Sequence, residues 1–251
     1  MRNVHKRWMD VPSETGRMAV FVAEPALAGS YPGLAYFHVL PGINEQHQAM
    51  ATRLASEGYV VAMPDLYNRI GYRTSFAIPD QREEASAARA ALTHYGLAAD
   101  SRMALNLLRE HPLVDASRLG VIGYCMGGTV AYLAAAFHAD VRAAAVLYGP
   151  DIASVDPTPG KPVAPVELAE RIRCPMLWLS ASGDKLVPPA DVNKIAARMQ
   201  ELGKDFECHV LDDDMVGHAF FDEDVPRFYS AAASEWGWPI KLDFLRRHLQ
   251  A

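Results

Sequence analysis

The chain has 251 residues, 50% of them hydrophobic and 22% charged, with a formal net charge of -6. That length and apolar share can bury the core of one large α/β domain, here taken as residues 1–251, and the acidic balance excludes nucleic acid and anionic membranes, which demand a basic patch. Met1-Arg-Asn-Val-His-Lys-Arg-Trp8 has no apolar run of signal-peptide length behind it and no later stretch could span a bilayer, so a soluble, cytoplasmic protein is expected.

Lys6–Pro12 and Arg17–Ala23 flank Ser13-Glu-Thr-Gly16, a hairpin signal that predicts an antiparallel edge within an N-terminal hairpin over 1–23. Gly33–Val39 reads as a strand closed by Pro41-Gly42. A helix follows, capped by Asn44 and stopped by Gly58, and then a buried strand over Tyr59–Met63. Asn68–Ile78 has no period and predicts a long loop, with 68–80 over or beside one end of the sheet. Asp80–Glu110 predicts one or two helices with a break at Gly96 and an end at His111-Pro112.

Strand, turn and apolar helix follow within Arg118–Ala136. Strands are predicted at Val141–Tyr148, Cys174–Ser180 and Asp205–Leu211, and a helix at Pro189–Leu202. A final helical region over Pro226–Leu249 carries an expected interruption near Gly237-Trp-Pro239. The proline-dense 150–165 segment excludes regular structure and predicts a surface loop over or beside the site. Nearly continuous apolar strands alternating with helices imply a mostly parallel sheet covered on both faces.

The chemistry-bearing stretch is Gly123-Tyr-Cys125-Met-Gly127. Glycines two residues either side of a polar residue suit a strand-to-helix elbow, where a Cβ would collide with the turn. The thiol of Cys125 then sits at a strand end beside a helix N-terminus, whose partial positive charge favours an anion, and this makes it the candidate nucleophile. The competing reading of Cys125 is a small buried apolar residue in a glycine-rich turn. Cys125, Cys174 and Cys208 are odd in number and lack metal-ligand spacing, so neither a disulfide framework nor a metal site is expected.

A thiol nucleophile needs a base, and the base a group that orients it. His218 follows the last predicted strand in Met215-Val-Gly-His-Ala-Phe-Phe221, where Gly217 is read as permitting close approach. Asp184 follows an earlier strand in Ser182-Gly-Asp-Lys-Leu-Val-Pro188, where it reads also as a turn aspartate binding backbone N–H groups. Cys125, Asp184 and His218 run in the nucleophile, acid, histidine order of α/β hydrolases.

Together with Gly217-His218-Ala-Phe220 and Pro64-Asp-Leu-Tyr67, these motifs resemble the dienelactone hydrolase family from about Gly33 to Leu249. The resemblance implies a compact α/β-hydrolase fold, no cofactor, and a Cys125–His218–Asp184 triad that opens a small ester or lactone through a thioester. It also implies an oxyanion hole from the backbone N–H groups of Leu40 and Met126. His38, Val39, Arg82, Tyr148 and Phe220 are expected to contact substrate, the protein being a monomer or homodimer with a small-molecule partner.

Two positions depart from the family pattern. Val39 stands where a glutamate pairs with the resting thiol, and Asp222 stands where an arginine holds the substrate carboxylate. A carboxylate-bearing lactone is therefore expected to bind poorly, and the thiol to rest against His218; Glu45 is read as a first-turn carboxylate rather than a substitute for the glutamate. The competing reading is a ligand-binding or thiol redox protein on the same scaffold.

Overall fold

A computed structural model describes residues 3–250. Eight strands form one sheet in the order β1-β2-β4-β3-β5-β6-β7-β8. Strands β1 (Val4–Ser13) and β2 (Gly16–Pro25) form the antiparallel hairpin, and β2 runs antiparallel to β4 (Val60–Pro64). The rest is parallel: β3 (Tyr31–Phe37), β5 (Val114–Tyr124), β6 (Ala143–Leu147), β7 (Met176–Ala181) and β8 (Phe206–Leu211).

Both faces of the central strands are covered, which is why they read as unbroken apolar runs. In β3, Ala35 and Phe37 face one core while Leu34 and Tyr36 face the other. The first core is closed by residues of α2 (Arg82–Ala91), α3 (His94–Glu110), α4 (Met126–Phe137) and α5 (Pro189–Glu201). The second is closed by α1 (Glu45–Ser56) and α6 (Ala231–Leu249). Among the described residues no helix is long and apolar enough to cross a membrane.

Local signals explain most of the boundaries. The Asn44 side chain accepts from His47 N at 3.0 Å to start α1, and Gly58 takes φ +99 just past its end. Three boundaries differ from the sequence reading. The break between α2 and α3 falls at Leu92-Thr93 rather than at Gly96, because the Thr93 hydroxyl caps α3 by accepting from Gly96 N at 3.0 Å.

Helix α6 also runs unbroken through Pro239. Gly237 two residues earlier lets the Phe221 ring pack against the helix, since a Cβ there would meet Phe221 Cζ at 2.7 Å, and this tertiary packing outweighs the local proline signal. Residues 226–228 form a turn rather than helix, because the cap is Ser230, whose hydroxyl accepts from Ala233 N at 3.3 Å. The proline-rich segment leads into a short 3-10 helix, Pro165–Arg171, which the sequence reading did not anticipate.

Two buried histidines give the fold a pH dependence. Burial pushes both His38 and His138 down to about 4 from 6.5. His138 Nε2 hydrogen-bonds Ser101 Oγ at 2.8 Å, in the first core. A lowered folded value means that the unfolded chain binds the proton first, so this stability is complete above about pH 6.5 and drains as pH falls towards 4. Each group accounts for on the order of 3 kcal/mol across that window. Chemical denaturation of His138→Gln at pH 7 and pH 4 is expected to show a smaller loss on acidification than wild type by about that amount; equal losses would refute the assignment.

Candidate active site

The elbow forms because two glycines make it sterically feasible. Cys125 has φ 51 and ψ -126 and caps α4 directly after β5. A Cβ on Gly123 would stand 1.9 Å from the Gly127 carbonyl oxygen, and one on Gly127 would stand 2.0 Å from that of Phe37, so neither position tolerates another residue. Cys125 N donates to Leu147 O at 3.0 Å, tying the strained residue to the end of β6. Tyr148 (φ 39) and Ala219 (φ 64) also hold left-handed backbone, so backbone strain gathers around the thiol.

Asp184 sits in the turn after β7, nearly fully buried. One carboxylate oxygen accepts from Leu186 N at 2.8 Å and Val187 N at 3.0 Å, and the other meets His218 Nδ1 at 2.8 Å. The turn aspartate and the partner of His218 are thus the same carboxylate: its own turn fixes the carboxylate, which in turn fixes the imidazole. The close approach that joins the two loops is at Gly183, where a Cβ would fall 2.4 Å from Asp214 O. Gly217 has open space and is not the residue that requires it.

Tyr148 packs edge-on against the His218 ring at 5.1 Å and limits its rotation. His218 Nε2 is buried and faces Cys125 short of full hydrogen-bond geometry, yet close enough for the two charges to couple. Burial raises the Cys125 thiol, but the His218 imidazolium outweighs it, helped by the Met126 N–H and Arg89, and the net shift is below an ordinary cysteine. For His218, burial favours the neutral ring, and the Cys125 thiolate and Asp184 together overcome it, raising the imidazole well above 6.5. Cys174, by contrast, is buried without a cationic partner and is pushed up to about 12.

These groups open onto a cleft of about 870 Å³ at the carboxyl ends of the strands, lined by Cys125, His218, Val39, Leu40, Arg82 and Asp222 among others. Leu40 N and Met126 N make no backbone hydrogen bond among the described residues. Tyr67 links the two positions: its hydroxyl donates to Leu40 O at 2.9 Å and lies 3.5 Å from Met126 Sδ. Asp65 braces the same corner by accepting from Tyr67 N at 3.0 Å and Arg73 N at 2.8 Å, and burial raises its carboxyl to about 6. The Pro64-Asp-Leu-Tyr67 motif carried this signal, but without a role for its side chains.

Val39, Leu40 and Arg82 line the cleft, whereas His38, Tyr148 and Phe220 do not reach it. His38 is fully buried, with Nδ1 donating to Val39 O at 2.8 Å and Nε2 accepting from Leu66 N at 3.1 Å, so it pins the loop rather than touching substrate. Phe220 lies behind Tyr148, the two rings 5.2 Å apart. Glu45 is exposed in the first turn of α1. The sequence reading missed the outer wall, built from Leu186, Met215 and the turns at 225–230, because nothing in those residue types marks a cleft.

The dienelactone hydrolase family model matches residues 18–249. The chain belongs to the dienelactone hydrolase family. A protein of Escherichia coli (strain K12), provisionally named carboxymethylenebutenolidase, is 29% identical over 250 residues, covering 95% of this chain and 85% of that one. One from Bradyrhizobium sp, provisionally named 2-oxo-3-(5-oxofuran-2-ylidene)propanoate lactonase, is 27% identical over 248 residues, covering 96% and 94%. A Klebsiella pneumoniae crystal structure provisionally described as a dienelactone hydrolase superposes with TM-score 0.86 at 25% identity, covering 97% of this chain and 99% of that one. The α/β-hydrolase fold expected of a dienelactone hydrolase family member is the one observed.

Proposed function

We propose that this protein hydrolyses a small carboxylic ester or lactone, with Cys125 as nucleophile, His218 as general base and acid, and Asp184 as the carboxylate that orients the imidazole. The observation that carries this reading is the buried line from Asp184 through both nitrogens of His218 towards the Cys125 thiol, on the wall of the cleft. The family and the lactonase names of the relatives support the substrate class. Neither Cys174 nor Cys208 lines the cleft, so a redox reading gains no resolving thiol there.

In the first half-reaction the thiolate attacks the carbonyl carbon, and the oxyanion is received by the N–H groups of Leu40 and Met126. Collapse breaks the C–O bond, the imidazolium protonates the departing oxygen, and a thioester on Cys125 remains. In the second half-reaction His218 removes a proton from water, the hydroxide attacks the thioester, and the thiolate returns with the acid released. A lactone follows the same course with its leaving oxygen still tethered.

A screen of aryl esters of graded acyl length with simple lactones beside them is expected to reveal turnover, and stoichiometric iodoacetamide should abolish it by labelling Cys125 before Cys174 and Cys208. Cys208 is exposed and thus reachable, but burial of its sulfur raises that thiol, so reactivity should follow thiolate content rather than access. Peptide mapping decides the order, and preferential labelling of Cys208 would contradict the proposed role of Cys125.

A further inference from the structure

On the cleft wall, four residues past His218, lies Asp222, only 4% exposed. Its Oδ1 accepts from Asp224 N at 3.2 Å. Its Oδ2 has no such donor: the nearest charged partner is His47 Nε2 at 3.9 Å, beyond hydrogen-bond reach. His47 is 1% exposed, its Nδ1 is engaged by the Tyr36 hydroxyl, and its Nε2 is a buried nitrogen without a hydrogen-bond partner. A carboxylate oxygen and an imidazole nitrogen thus face each other unbonded, one of them on the wall of the cleft.

A buried imidazole nitrogen of this kind is nearly always paired, because an unmade hydrogen bond at a desolvated polar atom is expensive. Among the described residues no arginine or lysine completes the pair. The basic side chains that line the cleft, Arg82, Lys185 and Arg227, are all exposed, where solvent screens them. Lys241 is fully buried on the same side of the sheet, but its amine already donates to Tyr124 OH at 2.7 Å and lies over the Phe221 ring. The site therefore presents acceptor capacity to the cleft and withholds a cation from it.

We infer that Asp222, backed by His47, selects esters or lactones bearing a hydrogen-bond donor, a hydroxyl or an ammonium, on the part of the substrate turned to this wall, and disfavours a carboxylate there. This rests on the hydrolase reading above and names the substrate class within it. The donor gives a hydrogen bond to Oδ2, while His47 Nε2, itself buried, backs the carboxylate from the protein side. A hydrogen bond to a charged group in such a site corresponds to roughly 10- to 100-fold in kcat/KM. A carboxylate would place two negative charges together with no intervening donor.

The test compares four γ-butyrolactones carrying hydrogen, hydroxyl, ammonium or carboxylate at the ring carbon β to the carbonyl, with the unsubstituted ring as the reference for every ratio. Wild type should favour the hydroxyl and ammonium rings over the carboxylate ring by about 10-fold or more in kcat/KM. Asp222→Asn should erase the ammonium preference and keep part of the hydroxyl preference, and Asp222→Arg should turn the order towards the carboxylate. Ratios that both variants leave unchanged, with the reference ring still hydrolysed, overturn the inference while leaving the hydrolase reading intact. If no ring is hydrolysed, calorimetric titration of cyclopentylamine, cyclopentanol and cyclopentanecarboxylate into wild type and Asp222→Asn gives the answer without turnover. A preference for the donors that disappears in the variant upholds the inference, and equal binding of all three to both proteins overturns it.

Discussion

Cys125→Ala is expected to lower kcat/KM for the best ester or lactone by on the order of 10,000-fold or more, with thermal stability changed by no more than a few degrees. The reason for the first half is that the two steps of the proposed hydrolysis both pass through the sulfur, and no other nucleophilic side chain lines that corner of the cleft with an imidazole beside it. The reason for the second is local. Cys125 already holds φ 51, so alanine inherits the strain without adding to it, and the Cys125 N to Leu147 O and Gly128 N to Cys125 O hydrogen bonds involve only backbone. Intact-mass measurement during turnover of a slow ester should find the acyl group on wild type and not on the variant. Wild-type turnover by a correctly folded Cys125→Ala protein would remove Cys125 from the mechanism.

The elbow was legible because its glycine spacing follows from steric exclusion, a constraint that any chain reversing direction at that angle must meet. Asp184 and His218 were legible because each follows a parallel strand, and parallel strands deliver their ends to one edge of the sheet. The faces of residues near strand ends were not legible. His38 and Tyr148 each stand just past an apolar strand, but whether such a side chain turns into the cleft or into the core depends on the loop that receives it. For His38 the receiving group is Leu66 N, for Tyr148 the His218 ring. Asp222 was visible as a departure from the family pattern, whereas its relation to His47 was not, since the two lie on α1 and on the loop after β8, elements that only the folded sheet brings together. Pro239 misled for the opposite reason: a strong local signal was overridden by packing of α6 against Phe221.

His218→Ala should move the Cys125 titration upward and lower kcat/KM by roughly 1,000-fold or more. In wild type the His218 imidazolium holds the thiol below its ordinary value despite burial, and Val39 supplies no acceptor to draw the sulfur away, so the proposed mechanism has the sulfur resting against His218 as a thiolate–imidazolium pair. Removing the ring leaves the burial of Cys125 with no cation to oppose it but the more distant Arg89, and the thiol should then titrate above an ordinary cysteine. Ultraviolet thiolate absorbance against pH reads this directly: the wild-type curve lies low, the His218→Ala curve high, and Cys125→Ala shows no corresponding step. Asp184→Asn should be nearly as damaging. Its Oδ1 would still accept from Leu186 N and Val187 N, so the amide nitrogen would face His218 Nδ1, donate to it, and force the tautomer whose Nε2 carries the proton and cannot receive one from the thiol. No second acceptor stands at Nδ1 among the described residues to rescue the correct tautomer. A thiol midpoint in wild type that is normal and unmoved by His218→Ala would show that the pair does not form, and with it the physical basis for treating Cys125 as the activated group would be lost.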